Sequence, residues 1–250
     1  MIPIVVPSMG RSHRVHAKKV FTPGRVIVCV PDAEVDAYIE ANDDVEVVGH
    51  PNDVVGIAQK RQWIYAKWGD VVMIDDDTTG ILHMEHGFGE QPHPIPPKEA
   101  DALVKRLARE AAEFGAYLFG LGSSANPQAY MAIRPYRLTG WVNGGFTGLL
   151  AGSKLSYHPA IMCSEDYWVS AMNAYHHRRC LIDTRYALRD ADGAGTMKTT
   201  GGMATIRSSE SLKRDVEILR EYFGDAMKEK KKLSYTSNLH ADQVSFMVPW

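Results

Sequence analysis

Four short runs of apolar, mostly β-branched residues occupy the first third of the chain, separated by helical patterns. The runs are residues 2–6, 26–30, 45–48 and 71–74, and the helical patterns are residues 33–41 and 52–67. Runs of this length that alternate with helices are typical of a mostly parallel sheet covered on both faces. Such strands have right-handed connections, and ligands bind beyond their carboxyl ends. The sequence therefore predicts a Rossmann-like half.

The rest of the chain lacks this regular alternation. A loop rich in His, Gly and Pro is expected at residues 83–97. The candidate helices are residues 97–114, 165–176 and 212–223, and the candidate strands are 117–121, 181–188 and pieces of 129–147. A second half of mixed strands and helices is therefore expected.

Composition limits the class of protein. Of the 250 residues, 45% are hydrophobic and 23% are charged, as expected for a globular enzyme or binding domain with a sizeable core. The three cysteines, Cys29, Cys163 and Cys180, lack metal-binding spacing and fit a reducing compartment. We find neither a signal peptide nor an apolar run of about 18 residues, so no membrane span is predicted and the expected location is the cytoplasm.

Basic residues are concentrated in three patches, although the formal net charge is only −2. The patches are residues 11–19, 176–179 and 228–232. A near-neutral chain shows no general bias toward nucleic acid, so any contact with a nucleic-acid backbone is expected to use these patches.

Three consecutive aspartates, Asp75, Asp76 and Asp77, follow the fourth apolar run directly. Crowded carboxylates repel one another, and burying them is costly unless they are paired or bound to metal. Hard oxygen ligands suit Mg²⁺ or Mn²⁺, which often bridge a protein carboxylate to a substrate diphosphate. The alternative is a solvated turn in which aspartates cap backbone amides. Their position at a strand end favours metal.

Two basic segments accompany the aspartates. After the first strand, Gly10 permits a tight turn, and Arg11 and Arg14 could meet phosphate or a base edge. Lys60 and Arg61 lie on the helix before the aspartates and could neutralise a metal-diphosphate site. A basic loop and an amphipathic helix with solvated cations are the alternatives.

Taken in order, these pieces resemble the nucleotide-sugar glycosyltransferases of the GT-A fold over roughly residues 2 to 170. The family's small residue, basic pair, glycine-acid pair and DxD motif are matched by Ala58, Lys60–Arg61, Gly69–Asp70 and Asp75–Asp77. Its glycine-rich loop and acidic xED motif are matched by residues 143–145 and 164–166. The resemblance implies one GT-A-like α/β domain over residues 1–250, with a Rossmann-type, mostly parallel central sheet flanked by helices. Residues 1–80 would bind the nucleotide-sugar, and residues 81–250 would form the mixed acceptor-binding and catalytic half.

The resemblance also implies the roles of residues. Asp75 and Asp77 would hold Mn²⁺ or Mg²⁺, and His240 is the best-placed candidate for a further metal ligand, although a surface histidine is equally consistent. The implied donor-binding residues are Pro7, Ser8, Arg11, Asp32, Lys60, Arg61, Asp75, Asp76, Gly144 and Gly145. Lys198 and residues 199–202 could close over the diphosphate, or form an ordinary glycine turn.

In inverting members of the family the last acid of the xED motif is the catalytic base, which is Asp166 here, with Glu165 beside it. A retaining mechanism stays open. Acids in the first turn of a helix are also favoured by the helix dipole without any catalytic role. The histidine-rich segment, with His83, Glu85, His86 and His93, lacks zinc-site spacing and is interpreted as an acceptor lid or a loop of surface histidines.

A narrower resemblance is carried by the opening IPIVVPSMGR and by DDDTTG. Both are similar to the bacteriophage TET-associated glycosyltransferases. This implies a UDP-sugar donor and, as acceptor, a 5-hydroxymethylpyrimidine such as hydroxymethylcytosine in double-stranded phage DNA within the host cytoplasm.

Two other functional classes stay open. A sugar-nucleotide pyrophosphorylase or other nucleotidyltransferase would share the fold and the metal acids, but its glycine-rich GxGxRL-like start is not evident. A non-catalytic module that binds nucleotide-sugar or DNA is the third class.

Overall fold

The first 74 residues form the parallel part of the central sheet. The computed structural model describes residues 1–85, 90–191, 208–229 and 244–246. The first elements are β1 (Ile4–Pro7), β2 (Val26–Pro31), α1 (Val35–Ala41), β3 (Glu46–His50), α2 (Ile57–Trp68) and β4 (Val71–Ile74). The four strands are parallel and lie in the order β3-β2-β1-β4. The Rossmann-type half is therefore confirmed.

The second half extends the same sheet with strands of both directions. Its elements are β5 (Thr78–His83), β6 (His93–Pro94), α3 (Pro97–Phe114), β7 (Leu118–Gly122), β8 (Tyr136–Arg137), β9 (Phe146–Leu149), α4 (Glu165–His176), β10 (Leu181–Asp190), α5 (Ser209–Phe223), β11 (Met227–Glu229) and β12 (Val244–Phe246). The order continues β4-β9-β7-β10-β5-β6, and β8 also pairs with β10. Among the strands described in this sheet, β5, β8 and β9 run against β1, and the others run with it. The expected mixed second half, on a mostly parallel sheet with flanking helices, is confirmed.

The sequence analysis did not predict β5, which begins directly after the aspartates. In the structure the turn is confined to Asp75–Asp77, where the Thr78 N–H donates to the Asp75 carbonyl at 3.3 Å. Because strands leave this turn on both sides, the three aspartates are held at the sheet edge rather than in a loose loop.

Two apolar clusters hold the helices on opposite faces of the sheet. Successive residues of a strand point to opposite faces, so Ile4 and Val6 of β1 join the cluster that contains α1 and α3. Val5 joins the cluster that contains residues of α2, α4 and α5. Within the described ranges no helix is long and apolar enough to cross a bilayer.

The carboxyl ends of β1, β2, β3 and β4 meet at one edge of the sheet. The basic segment follows β1 at this edge, and the aspartates follow β4. The helices α2 and α4 lie on the same face and both begin near this edge, where Arg61 and Glu165 contact each other. A ligand site is expected at such an edge of an open α/β sheet.

Candidate active site

A cleft of about 700 Å³, a volume that includes space open to solvent, lies at this edge. It is bounded by the loop after β1, the start of α2, the aspartate turn and the start of α4. The predicted site residues that line it are Pro7, Ser8, Arg11, Lys60, Arg61, Asp75, Asp76, Asp77 and Glu165. Residues that are far apart in the chain are thus gathered around one cavity.

The three adjacent aspartates have three different environments. Asp75 accepts a hydrogen bond from Arg61 Nη2 at 2.9 Å. Asp76 is buried, and it accepts from Ser8 Oγ at 2.5 Å and from Arg11 Nη1 at 3.0 Å. Within the described ranges the Asp77 carboxylate has neither an ion pair nor a side-chain hydrogen bond. Asp76 therefore fixes the loop after β1, whereas the Asp77 carboxylate is left available to a ligand.

Negative charge remains uncompensated at the turn. Burial, together with repulsion from Asp75, Asp76 and Asp190, raises the pKa of Asp77 to about 7. Burial also raises the pKa of Asp75 to about 6, although the nearby Arg61 acts in the opposite direction. A bound cation would favour the ionised form of both carboxyl groups. The electrostatics of the turn thus suit a cation that arrives with a ligand.

The donor set fits a metal shared with a substrate rather than a protein-only metal centre. Among the described residues, no three His, Cys, Asp or Glu side chains are arranged to hold a metal ion. Mg²⁺ is usually bound by one or two carboxylates and completes its shell with substrate phosphates and water. Asp75 and Asp77 at the cleft match that pattern. The candidate ligand His240 lies outside the described residues.

Arg61 is fully buried and connects the two halves of the site. Its guanidinium is paired with Asp75, lies 3.5 Å from Glu165 Oε1, and donates to Thr147 Oγ1 at 3.2 Å. Burial disfavours its charge, but the Glu165 and Asp75 carboxylates outweigh this effect and raise the pKa of Arg61. The alternative of a solvated basic helix face is therefore wrong for this residue.

Lys60 is a further buried cation of the cleft, beside Arg11 and Arg61. Its Nζ donates to the Ser8 carbonyl at 2.6 Å, and burial lowers its pKa to about 8. No carboxylate of the described residues lies within ion-pair distance of Lys60. Its charge is therefore free to meet an anion in the cleft.

The glycine loop before β9 joins the aspartate turn to the start of α4. Gly144 N–H donates to Asp166 Oδ2 at 3.3 Å, and the Gly145 carbonyl accepts from Asp75 N–H at 3.1 Å. A β-carbon on Gly144 would lie 3.2 Å from Glu165 Oε1, so the close approach leaves little room for a side chain. The loop thus brings both acidic motifs within a few ångströms of each other.

Glu165 and Asp166 differ in what they face. Glu165 lines the cleft, whereas the Asp166 carboxylate accepts from the backbone N–H groups of Gly144 and Tyr167, the latter at 2.8 Å. Burial raises the pKa of Glu165 to about 8, and burial likewise raises the pKa of Asp166, against the opposing hydrogen bond from Gly144. The Trp141 indole also favours ionised Asp166, although its Nε1 falls short of hydrogen-bond geometry. Glu165 is buried and Asp166 is half-buried, and raised pKa values in such an acidic pair are typical of proton-transfer sites.

Several predicted residues lie elsewhere. Asp32 is exposed at the end of β2, close to Gly49, and does not line the cleft. His83 packs its ring against His93 and Tyr186 at centroid distances of 5.7 and 5.1 Å. Besides His240, the predicted residues that lie outside the described ranges are His86, Lys198, residues 199–202 and residues 230–232.

The sequence analysis missed an apolar wall of the cleft and a tyrosine beneath it. Met9, Val54 and Ile57 also line the cleft. The buried Tyr38 hydroxyl lies 2.8 Å from Ser8 Oγ and accepts from Arg11 N–H at 3.0 Å. No local pattern announced these residues, because each acquires its place only when α1 and α2 pack on the sheet.

We expect Asp76→Asn and Asp77→Asn to differ in stability although the two residues are adjacent. Asp76→Asn breaks a buried ion pair and should lower the free energy of unfolding by about 3 kcal/mol. Asp77→Asn removes a repulsive charge and should leave that free energy unchanged or raise it. Urea unfolding at neutral pH with a chelator measures both values. Equal losses in the two variants would contradict the different environments described above.

Comparisons with known proteins were made for sequence and for structure. The sequence model of the family described as TET-Associated Glycosyltransferase matches residues 2–196. The crystal structure of S. aureus TarS 1–349 has 12% identity and a TM-score of 0.48, covering 90% of this chain and 72% of that chain. Its complex with UDP has 12% identity and a TM-score of 0.45, covering 89% and 72%. A CMP:2-keto-3-deoxy-manno-octonic acid synthetase complexed with CTP has 14% identity and a TM-score of 0.34, covering 88% and 85%. No curated protein matches the chain.

Proposed function

The chain belongs to the TET-associated glycosyltransferase family, and we propose that it transfers a sugar from a UDP-sugar to an acceptor hydroxyl with the help of a divalent metal. The observation that carries this proposal is the cleft itself. Three buried cations, an aspartate turn and the buried Glu165 line this one cavity, and Asp166 follows Glu165 at the start of α4. Such a set can bind an anionic donor and accept a proton from a second substrate.

The cleft is lined by both apolar and charged residues, which suit the base and the diphosphate of a nucleoside diphosphate. Met9, Val54 and Ile57 would contact the base, and Lys60 would meet the diphosphate. Asp75 and Asp77 would hold Mn²⁺ or Mg²⁺ against the same diphosphate. The metal would neutralise the negative charge that develops on the leaving nucleoside diphosphate.

We assign Asp166 as the general base. Its carboxylate would take the proton of the acceptor hydroxyl while that oxygen forms a bond to the anomeric carbon and the bond from this carbon to the diphosphate breaks. Glu165 is engaged by the Arg61 guanidinium at 3.5 Å, whereas Asp166 makes no ion pair within the described residues. One base and one displacement imply inversion at the anomeric carbon.

The proposal is tested by a product screen. The protein is incubated with Mn²⁺ and a panel of nucleotide-sugars, with hydroxymethylcytosine duplex DNA and simple sugars as acceptors, and the products are identified by mass spectrometry. A mass gain of one sugar residue on an acceptor is the expected result. Release of pyrophosphate from a nucleoside triphosphate and a sugar phosphate would instead identify a nucleotidyltransferase. Donor binding without any product would identify a binding module.

We expect Asp166→Asn to stop transfer while leaving donor affinity near the wild-type value. The amide keeps the size of the side chain and can keep one of its two backbone N–H contacts, but it cannot accept a proton, and loss of a general base costs about 10²–10⁴-fold in rate. The melting temperature of the variant controls for the lost contact. Single-turnover kinetics and calorimetry with donor and Mn²⁺ measure the two quantities. Glu99→Gln, an acid in the first turn of α3, is the matched control for a helix-dipole role. Near-normal transfer by Asp166→Asn would reassign the base to Glu165.

We expect Asp77→Ala to abolish the tightening of donor binding by Mn²⁺, with a loss of at least about 10-fold in affinity. The reason is that, of the three aspartates in the turn, Asp77 is the one whose carboxylate pairs with no cationic side chain of the described residues. Calorimetric titration of donor with and without Mn²⁺ measures the effect. Asp70→Asn, on the opposite edge of the sheet, should retain the full metal response. An unchanged metal response in Asp77→Ala would remove the metal from this turn.

For a DNA acceptor, the structure distinguishes two of the basic patches. Residues 11–19 adjoin the cleft, since the N–H groups of His16 and Ala17 donate to the Asp76 carbonyl at 2.7 and 3.2 Å. Residue 176 ends α4, about 16 Å from Glu165 at a rise of about 1.5 Å per residue, and residues 177–179 follow it. We therefore propose that DNA phosphates lie over residues 11–19.

We expect Arg14→Ala combined with Lys19→Ala to weaken binding of hydroxymethylcytosine duplex DNA and to reduce the slope of log affinity against log salt by about 2. Both side chains are exposed. Arg178→Ala combined with Arg179→Ala is the control with the same charge change. Fluorescence anisotropy across a salt series measures both slopes. A flat salt response of the wild-type protein would favour a small-molecule or protein acceptor instead.

A further inference from the structure

Asp215 of α5 has a fully buried carboxylate that binds three successive backbone N–H groups. It accepts from Met162 at 2.9 Å, from Cys163 at 2.7 Å and from Ser164 at 2.9 Å. No Lys, Arg or His side chain in the described ranges pairs with it. A buried carboxylate is costly unless its oxygens are satisfied, so these three contacts account for its place in the fold.

The three N–H groups belong to the residues directly before the acidic pair. Ser164 is the N-cap residue of α4, but its own side chain makes no capping hydrogen bond. Asp215, from another helix, accepts instead from the N–H of Ser164 and of the two residues before it, and its negative charge lies at the positive end of the α4 dipole. The start of α4, and with it the backbone of Asp166, is therefore fixed by a residue about 50 positions further along the chain.

The other side of the same loop faces the wall of the cleft. A β-carbon on Gly56, which lines the cleft, would lie 3.3 Å from Met162 Cε. Cys163 Sγ also lies 3.4 Å from Ser211 Oγ of α5. The segment 162–164 is thus held between α5 on one side and the cleft on the other.

We propose that Asp215 is a positioning residue for sugar transfer, which fixes the segment 162–164 and thereby aims Asp166 at the acceptor hydroxyl. This inference rests on the proposed function of Asp166 as the base. Asp215 also lies beyond residues 2–196, so α5 contributes to the site although the family match ends before it.

The chemistry of the contact requires a carboxylate. An ionised carboxylate only accepts hydrogen bonds and has room for several donors, whereas an amide offers one acceptor oxygen and two N–H donors. In Asp215→Asn the amide nitrogen would therefore oppose at least one backbone N–H group. Asp215→Glu keeps both acceptor oxygens and is the conservative variant.

The test compares Asp215→Asn, Asp215→Glu and a control, Asp70→Asn. Asp70 also accepts a backbone N–H, that of Ala151 at 2.7 Å, but it lies on the opposite edge of the sheet. We expect Asp215→Asn to lower the single-turnover transfer rate about 100-fold, since a misplacement of about 1 Å can cost that much. Donor affinity should change less than about threefold. Asp215→Glu should recover part of the rate, and Asp70→Asn should keep it.

A readout that does not depend on activity is hydrogen exchange of peptides covering residues 160–167, measured well below the melting temperature of each variant. We expect exchange at 162–164 to be at least 10-fold faster in Asp215→Asn and unchanged in Asp70→Asn. Wild-type transfer by Asp215→Asn, or an equal loss of rate in Asp70→Asn, would overturn the proposal. If the wild-type protein itself transfers no sugar, the proposed function fails. Unchanged hydrogen exchange at 162–164 in Asp215→Asn would separately show that Asp215 does not fix this segment.

Discussion

The rest of the site depends on the contacts of one buried group, the guanidinium of Arg61. It extends from α2 and contacts Asp75 after β4, Glu165 at the start of α4 and Thr147 of β9. A charge at this depth is tolerated only when it is paired and hydrogen-bonded, and the same holds for the buried Glu165, whereas the Asp75 side chain is 41% exposed. Because the buried guanidinium needs its partners, Arg61 joins the parallel first half of the sheet to the mixed second half at the point where the cleft opens.

The balance of charge around Arg61 explains how three adjacent aspartates can serve different purposes. Asp75 is held by Arg61, and Asp76 fastens the loop after β1 through Ser8 and Arg11. Asp77 keeps a raised pKa because burial and its neighbours oppose its charge. Consecutive residues in a tight turn point in different directions. The geometry of the turn therefore gives Asp75 and Asp76 structural contacts and leaves the Asp77 carboxylate available to a ligand.

The strand-helix alternation of the first 74 residues was predictable because its signals are local. Short β-branched runs, turn residues and helical periodicity lie within a few positions of one another, and they correctly indicated β1 to β4 and the edge at which the aspartates lie. The resemblance to the TET-associated glycosyltransferases, carried by the same segments, is confirmed by the family match over residues 2–196. The strand β5 was missed because Gly80 interrupts a short run of strand-forming residues, and the partner strand β10 lies about 100 positions further along the chain.

The candidate site was predictable in its residue types and not in its pairings. The sequence by itself determined that acids follow a buried strand, that a basic pair precedes them and that a second acidic pair begins a later helix. Only the tertiary structure decided that Arg61 contacts Glu165, that Asp76 holds the loop after β1, and that Asp215 fixes the start of α4. These contacts join residues separated by about 50 to 100 positions, and no local propensity encodes them. They exist because the order of strands in the sheet, and the packing of α2, α4 and α5 on one face, bring those side chains to the same edge. A buried charge at that edge is stable only when it is paired or hydrogen-bonded.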